Sequence, residues 1–193
     1  MDYEKIEKKW QEIWEKEKAF EAVDFDKKPK YFGLVEFPYP SGVGIHIGHV
    51  KAYSSMEVLC RMKRLQGYNV MFPIGWDAFG LPTENYAIKH NVAPRIATDE
   101  NIKNIKKQLK AVGFSFDWSR EIDTTDEKYF KWTQWIFSKL YEKGLVYKSK
   151  AFVNYCPSCD VILSNEESQG GVCDRCSSQV VQKEKEVWFL KIR

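Results

Sequence analysis

The sequence lacks a long apolar run: no hydrophobic stretch approaches the roughly 20 residues that a membrane-spanning helix requires. Its first residues, MDYEKIEKK, are charged where a secretory signal peptide would be apolar. The sequence also lacks a large excess of either charge, because 30 basic residues are nearly balanced by 27 acidic ones. The net charge of +3 permits a nucleic-acid partner without arguing for one. These absences predict a cytoplasmic protein that does not associate with membranes.

Two common glycine-rich phosphate motifs are also absent. No segment matches G-x-x-x-x-G-K-[ST]. The spacing G-x-G-x-x-G fails too, because Ile47 stands where the third glycine would follow Gly42 and Gly44. The sequence therefore offers neither a P-loop nor a dinucleotide-binding fingerprint.

Cysteines are few, and their spacing indicates a metal. Four of the five form two C-x-x-C pairs with thirteen residues between the pairs. Each pair can place two thiolates on one side of a tetrahedral ion, and two pairs close a structural zinc site without an open catalytic position. The alternatives are reduced thiols or a site that has lost its metal. The fifth, Cys60, is interpreted as a small buried residue without chemistry. The four predicted ligands are Cys156, Cys159, Cys173 and Cys176.

Residues 38–49, PYPSGVGIHIGH, are the segment around which the chain is organised. They follow an apolar run at 31–35 that predicts a strand and precede a predicted helix at 50–66. Backbone N–H groups at the start of a helix carry about half a positive charge and bind phosphate. His46 and His49 can donate hydrogen bonds to a polyphosphate, and Gly48 lets a ring or a phosphate approach the backbone. The alternative is an ordinary glycine-rich turn with two surface histidines.

A second strand is predicted at 69–73, which makes a parallel strand–helix–strand crossover. Ligands of such sheets lie beyond the carboxyl ends of the strands. The segment at 38–49 and the loop at 75–82 both leave from those ends, so we expect them to face one another across a crevice. Asp77 in that loop can hold a substrate ammonium group, or it can merely cap the turn.

The remaining elements follow from helical and alternating apolar spacing. In the helix after His49 we expect a buried stripe of Val50, Met56, Leu59, Met62 and Leu65. Residues 117–121 are predicted to be a polar loop and not a core element. The predicted helix at 98–112 carries four lysines on its outer face, which indicate a solvated surface or, alternatively, contacts with nucleic-acid phosphates: Lys103, Lys106, Lys107 and Lys110. The other predicted elements are helices at 2–18, at 98–112 with Thr98 as cap, and at 126–143, and strands at 145–155 and 187–192.

The motif at 46–49, HIGH, resembles the signature of class I aminoacyl-tRNA synthetases, and FPYPSG at 37–42 with GWDAFGLPTENY at 75–86 is similar to the leucyl-tRNA synthetase version. The resemblance implies an α/β fold: the HIGH half of a Rossmann-like parallel sheet with an inserted zinc module. It implies that His46 and His49 are catalytic, that Gly48 with them binds ATP, and that Tyr39 and Asp77 bind leucine. For Tyr39 the alternative is an aromatic ring packed under the loop.

The resemblance also implies a division of the chain and a set of partners. Residues 1–30 would be a helix and linker, 31–150 the HIGH half, 151–182 the zinc module, and 183–193 a strand leading towards an editing domain. The expected ligands are leucine, ATP with Mg²⁺, structural zinc and tRNA(Leu). The KMSKS loop of the family would lie further on, so we expect weak binding and poor catalysis from these 193 residues alone.

Two departures from the leucyl pattern bear on the site. Three residues separate Gly42 from His46, where the commonest pattern has two, and Glu36 replaces a usual Met. The added charge lies near the expected amino-acid pocket. Two other functions are kept open: a non-enzymatic zinc-bearing module that binds tRNA or a protein, from a truncated paralogue, and a small nucleotidyltransferase, against which the segments 39–42 and 76–82 count.

Overall fold

The fold is taken from a computed structural model that describes residues 2–42 and 44–192. The described part contains five α-helices: α1 Tyr3–Lys16, α2 Ile47–Leu65, α3 Leu81–His90, α4 Pro94–Val112 and α5 Glu127–Glu142. Its strands are β1 Lys30–Phe32, β2 Asn69–Met71, β3 Gly75–Trp76, β4 Ile122–Asp123, β5 Val146–Cys156, β6 Val161–Leu163 and β7 Val181–Leu190. Short 3-10 segments lie at Trp118–Arg120 and Glu166–Gly171.

The chain forms two compact units, one extending to Phe130 and the other beginning at Lys131. In the first unit β1 pairs in parallel with β2, and α2 connects them, as predicted. β3 pairs in parallel with β4. The carbonyl of Phe72 accepts a hydrogen bond from the backbone N–H of Asp117 (2.7 Å), so the segment 69–77 is flanked by chain on both sides. The class is therefore α/β with parallel strands, although the regular ladders are only two or three residues long.

The buried face of α2 differs from the predicted one. Leu59 and Met62 are each 40 % exposed and Leu65 is 90 % exposed, whereas Val50 and Met56 are partly buried as expected. The face that lies in the core instead carries Tyr53, Glu57 and Cys60.

Burial of a charged residue explains that error. The Glu57 carboxylate accepts hydrogen bonds from the backbone N–H (2.9 Å) and the hydroxyl (2.8 Å) of Ser115 and pairs with Arg61. Because these partners replace water, a charge can occupy the inner face of the helix. Apolar spacing alone does not contain that information.

The prediction of a polar loop at 117–121 is wrong at its first residue. Asp117 is fully buried, and the preceding Phe114 and Phe116 belong to the core of the first unit. The Asp117 carboxylate accepts hydrogen bonds from the backbone N–H of Ala22 (2.8 Å) and of Ser119 (3.1 Å). The acid is buried because it satisfies backbone donors of two separate segments.

The predicted end of α4 at Gly113 is confirmed, whereas the predicted N-terminal cap at Thr98 is wrong. α4 begins at Pro94, and Thr98 lies inside it with its hydroxyl donating to the Pro94 carbonyl (2.8 Å), so Thr98 is not the cap. Gly113 ends α4 with a φ of +83°, a conformation that glycine adopts without a steric penalty. The helix predicted at 126–143 is confirmed as α5.

In the second unit, β6, β5 and β7 form an antiparallel sheet in that order. The strand predicted at 145–155 is confirmed as β5, whereas β7 begins at Val181, earlier than the predicted 187. The indole of Trp188 on β7 packs edge-on against Phe137 and Tyr141 of α5. The two C-x-x-C turns lie between these strands.

Candidate active site

His46 is the N-cap of α2, and its imidazole is held by the backbone of the first helical turn. His46 has an extended backbone (φ −112°, ψ 169°), and its Nδ1 accepts a hydrogen bond from the N–H of Gly48 (3.1 Å). His49 returns the contact, since its Nδ1 accepts from the N–H of His46 (3.3 Å). The two ring centroids are 3.9 Å apart. The predicted pair of histidines is therefore brought together at a helix N-terminus.

The hydrogen bonds determine which ring nitrogen carries the proton. A neutral imidazole that accepts at Nδ1 must be protonated at Nε2, so each ring presents an Nε2–H donor. Partial burial lowers the pKa of His49, the neighbouring His46 lowers it further, and Glu36 opposes both. At neutral pH His49 is thus an uncharged donor that accepts no second proton.

Gly48 admits the His46 ring. A Cβ at position 48 would lie 2.8 Å from Cε1 and 2.9 Å from Nδ1 of His46, closer than side-chain atoms approach one another. The glycine predicted for the approach of a ligand is thus already used by the protein's own imidazole.

Two residues of α4 that the sequence did not single out hold the segment before His46. The Asn101 amide donates to the carbonyl of Pro40 (2.9 Å), and Oε1 of Gln108 accepts from the N–H of Ile45 (2.9 Å). The signal available in the sequence was two amide side chains seven residues apart, one of them beside the apolar stripe of the helix. Seven residues are two helical turns, so both lie on one face.

The loop that carries Asp77 lies beside the segment that carries Tyr39. The N–H of Asp77 donates to the carbonyl of Pro38 (3.2 Å), and a Cβ on Gly75 would lie 2.7 Å from Cδ2 of Phe37. Asp77 is half-buried, and Tyr39 is 58 % exposed, so Tyr39 is not packed under the loop. Both residues are therefore brought to the same edge of the parallel strands.

Among the described residues, Glu36 contacts the site residues through its backbone carbonyl and not through a hydrogen bond of its side chain. Its carbonyl accepts a hydrogen bond from the Tyr53 hydroxyl (2.9 Å), while its side chain is exposed. Burial, followed by the charge of Glu36, raises the pKa of Tyr53 to about 12, so the phenol remains a donor. The ring of Tyr53 packs against Phe114, Phe116 and His49, which ties the histidine to the core.

The four predicted cysteine ligands converge in the second unit. Their Sγ atoms all lie within 4.8 Å of one another, and those of Cys156 and Cys176 are 3.5 Å apart. A tetrahedral zinc with Zn–S bonds of about 2.3 Å requires sulfurs roughly 3.8 Å apart. Cys156 and Cys173 are buried with Leu163 in a small core of their own. Hydrogen bonds from the side chain and backbone of Ser178 lower the pKa of Cys176.

The lysines of α4 divide into two pairs. Lys106 pairs with Glu121, and Lys110 pairs with Glu15 (2.5 Å). Lys103 and Lys107 are exposed. The outer face of α4 is therefore partly engaged within the first unit.

Among residues 2–42 and 44–192, every helix is too short or too polar to cross a bilayer.

Comparison with known proteins defines the family. The sequence model of the tRNA synthetases class I (I, L, M and V) matches residues 9–193. The chain therefore belongs to the class I tRNA synthetases of this group. Within it, the chain is 56 % identical over 187 residues to the leucine–tRNA ligase of Alkaliphilus oremlandii and 53 % identical over 189 residues to that of Thermotoga maritima. The two alignments cover 97 % and 98 % of this chain. The chain spans only 23 % of the length of each relative.

Comparison with solved structures supports the same family. The LeuRS of Agrobacterium radiobacter K84, in a ternary complex with tRNA and LeuAMS, superposes with a TM-score of 0.88 at 34 % identity, covering 96 % of this chain and 24 % of that one. The methionyl-tRNA synthetase of Mycobacterium tuberculosis, bound to methionyl-adenylate, has a TM-score of 0.68 at 23 % identity, covering 84 % of this chain and 32 % of that one. The second likeness supports the fold alone.

Proposed function

We propose that this chain forms the part of a leucyl-tRNA synthetase catalytic domain that binds ATP and leucine. The enzyme joins leucine to ATP and then transfers the leucyl group to tRNA(Leu). The observation that carries the proposal is the pair of imidazoles at the N-terminus of α2, preceded by a segment whose Pro38 carbonyl accepts from the N–H of Asp77. Identities of 53–56 % to leucine–tRNA ligases support the leucyl enzyme and do not favour a non-enzymatic module or a nucleotidyltransferase.

In the first reaction a carboxylate oxygen of leucine attacks the α-phosphorus of ATP. The bond from that phosphorus to the bridging oxygen breaks, and pyrophosphate leaves with the electron pair. In the second reaction a ribose hydroxyl at the tRNA 3′ end attacks the leucyl carbonyl, and AMP leaves. Neither reaction requires a protein nucleophile, so the protein acts by positioning and by stabilising charge.

His46 and His49 are the residues that we assign to the phosphates. Their Nε2–H groups donate to phosphate oxygens as negative charge develops on them, and the N–H groups of the first turn of α2 add the positive end of the helix dipole. Gly48 contributes to this arrangement because it has no Cβ and so admits the ring of His46. ATP enters with Mg²⁺ as its counter-ion.

Asp77 and Tyr39 are the residues that we assign to leucine. The half-buried Asp77 carboxylate pairs with the ammonium group, which orients the leucine carboxylate towards the phosphates. Tyr39 offers an exposed aromatic ring to the apolar side chain. Their neighbouring positions at the ends of parallel strands support a shared site.

The four-cysteine cluster is assigned to structural zinc. Its sulfur separations fit a tetrahedral ion, and four protein ligands leave no position for a substrate. A bound zinc supplies a link between β5, β6 and the second cysteine pair, with an effect on folding on the order of 10 kcal/mol in small modules. Because charging of tRNA serves translation, we place the protein in the cytoplasm.

The test is binding of non-hydrolysable leucyl-, isoleucyl- and methionyl-adenylate analogues to the zinc-loaded chain. We expect selective binding of the leucyl compound, and Asp77→Asn should weaken it by about tenfold or more because a charge-assisted hydrogen bond contributes roughly 1.5–3 kcal/mol. Asp99→Asn, on the exposed side of α4, is the matched control. Equal binding of all three analogues would contradict the assignment to leucine, and absence of binding by the folded protein would contradict the site.

A further inference from the structure

We propose that Asn101 and Gln108 are positioning residues: from one face of α4 they fix the two ends of the segment 40–45 and thereby aim the His46 imidazole. The inference rests on the proposed function of His46 in ATP binding, which it extends to residues outside the motif.

The segment before His46 needs external support because its described residues, 33–42 and 44–46, belong to no strand ladder or helix. β1 ends at Phe32, and the described residues between it and α2 are neither helix nor strand. Short connections without regular hydrogen bonds sample many backbone conformations. A histidine at the end of such a segment is aimed only if the segment is held.

Asn101 supplies the first hold. It is 2 % exposed, and its Nδ2 donates to the carbonyl of Pro40 (2.9 Å), a residue that is itself fully buried. A buried carbonyl requires a partner, and the contact is costly to break. The beginning of the segment is therefore fixed to α4.

Gln108 supplies the second hold, one residue before the helix cap. Its Oε1 accepts from the N–H of Ile45 (2.9 Å). Its amide also lies against Gly44, where a Cβ would be 2.6 Å from Oε1. The absence of a side chain at Gly44 is what allows Gln108 to reach the backbone.

The face that carries both amides is rigid because α4 is anchored. Ile105 and Leu109 lie in the core of the first unit, at 1 % and 0 % exposure. With both ends of the segment held on this frame, the extended backbone of His46 and the contact of its Nδ1 with Gly48 follow. The Nε2–H is thereby directed before any ligand binds, which is preorganisation.

The experiment uses the 193-residue chain labelled for NMR of its imidazole groups. The sequence has three histidines, so His46, His49 and His90 give three sets of resonances. His90, whose ring packs at a tilt against Tyr86 in α3, is the internal reference. Gln108→Leu removes the acceptor, Gln108→Glu retains an acceptor oxygen, and Gln134→Leu makes the same change at an exposed position of α5.

We expect Gln108→Leu to shift the resonances of His46 and His49 but not those of His90, with Gln108→Glu close to the wild type and Gln134→Leu unchanged. Binding of a non-hydrolysable ATP analogue should weaken about three- to tenfold in Gln108→Leu, the fold-change for one hydrogen bond. Gln108 is exposed, so this variant should fold. Asn101→Asp, which places an acceptor against the Pro40 carbonyl, should shift the same resonances, and Asn104→Asp on the exposed face should not.

A Gln108→Leu spectrum in which His46 and His49 keep their wild-type resonances would overturn the inference, whatever the affinity for ATP. If the histidines move and Gln108→Glu restores them while the wild type binds no ATP analogue, the positioning role stands and the proposed ATP site fails. The two failures are therefore distinguishable.

Discussion

The imidazole of His46 occupies the space that a side chain on Gly48 would need, with Nδ1 2.9 Å from the position of a Cβ. The same two residues are joined by the hydrogen bond from the Gly48 N–H to that Nδ1 (3.1 Å). The roles of Gly48 and His46 therefore depend on each other, because the absence of a Cβ at Gly48 permits the His46 ring to cap the helix.

Gly48→Ala should reduce binding of an ATP analogue by about tenfold while changing stability little. Alanine gains roughly 1 kcal/mol of helix propensity over glycine, and loss of the cap costs about as much, so the two effects on the free energy of unfolding nearly cancel. The displaced His46 ring, however, no longer presents its Nε2–H to the phosphates. Binding titration and thermal unfolding measure the two quantities.

Gly42→Ala is the matched control for Gly48→Ala, since nothing lies within 4 Å of a Cβ at that position. It should bind as the wild type does. Equal losses in both variants would show that the effect comes from loop flexibility and not from the His46 ring.

His49 should make the folded state less stable as the pH falls. Its pKa in the folded protein is lowered from the ordinary value of 6.5 by burial and by His46. Below pH 6.5 the unfolded chain binds a proton that the folded protein does not, so the free energy of unfolding declines until the pH reaches the lowered pKa. Well above pH 6.5 both states are neutral and the contribution is constant.

Urea unfolding of the wild type and His49→Gln between pH 7.5 and pH 5, a range set at about one unit or more on either side of the ordinary histidine pKa, measures this effect. Glutamine does not titrate, so the variant should lose less stability on acidification. His90→Gln serves as the control histidine. A wild type and His49→Gln with the same pH dependence would contradict the lowered pKa.

Cys173→Ser should remove the proposed zinc and unfold the cysteine module. Cys173 is buried, and its Sγ lies within 4.8 Å of the other three sulfurs, so no remaining group can complete a tetrahedron of thiolates. Metal analysis of purified protein should find about one zinc per wild-type chain and little in the variant.

Cys60→Ala is the control for the zinc prediction. Cys60 lies in the core of the first unit, and burial raises the pKa of its thiol to about 11, which keeps it protonated and unable to bind metal. Its zinc content should equal that of the wild type. Loss of zinc from Cys60→Ala, or retention in Cys173→Ser, would be incompatible with the assigned ligands.

Asp117→Ala should lower the free energy of unfolding by about 2 kcal/mol or more, because the N–H groups of Ala22 and Ser119 lose a buried charged acceptor. Asp99→Ala removes a carboxylate paired with Arg95 at the surface and should cost less than about 1 kcal/mol. Chemical unfolding of both variants provides the comparison. Similar losses would mean that the buried hydrogen bonds of Asp117 contribute no more than a surface ion pair.

Much of the site was predictable from short motifs. The HIGH tetrapeptide, the position of Asp77 and the two C-x-x-C pairs each depend on residues close in sequence, and local geometry brings them together. Helices α1, α2 and α5 and strand β5 were predicted to within a few residues for the same reason. The assignments of the site residues to ligands stay predictions until the binding experiments are done.

The inner face of α2 and the burial of Asp117 could not be predicted in this way. Glu57 is buried only because Ser115 supplies two donors from 58 residues away. Asp117 is buried because Ala22, 95 residues away, donates to it. Apolar periodicity treats both acids as surface residues, since it does not contain the partners that compensate for their loss of water.

The sequence by itself determined the available chemistry: which side chains can donate hydrogen bonds at the start of α2, which sulfurs can bind zinc, and where the strand ends and the helix begins. Only the tertiary structure decided that Asn101 and Gln108 reach the backbone at Pro40 and Ile45, across 61 and 63 residues. The physical reason is that contacts over such separations depend on how α4 packs against the core, and no local pattern of residues encodes that packing.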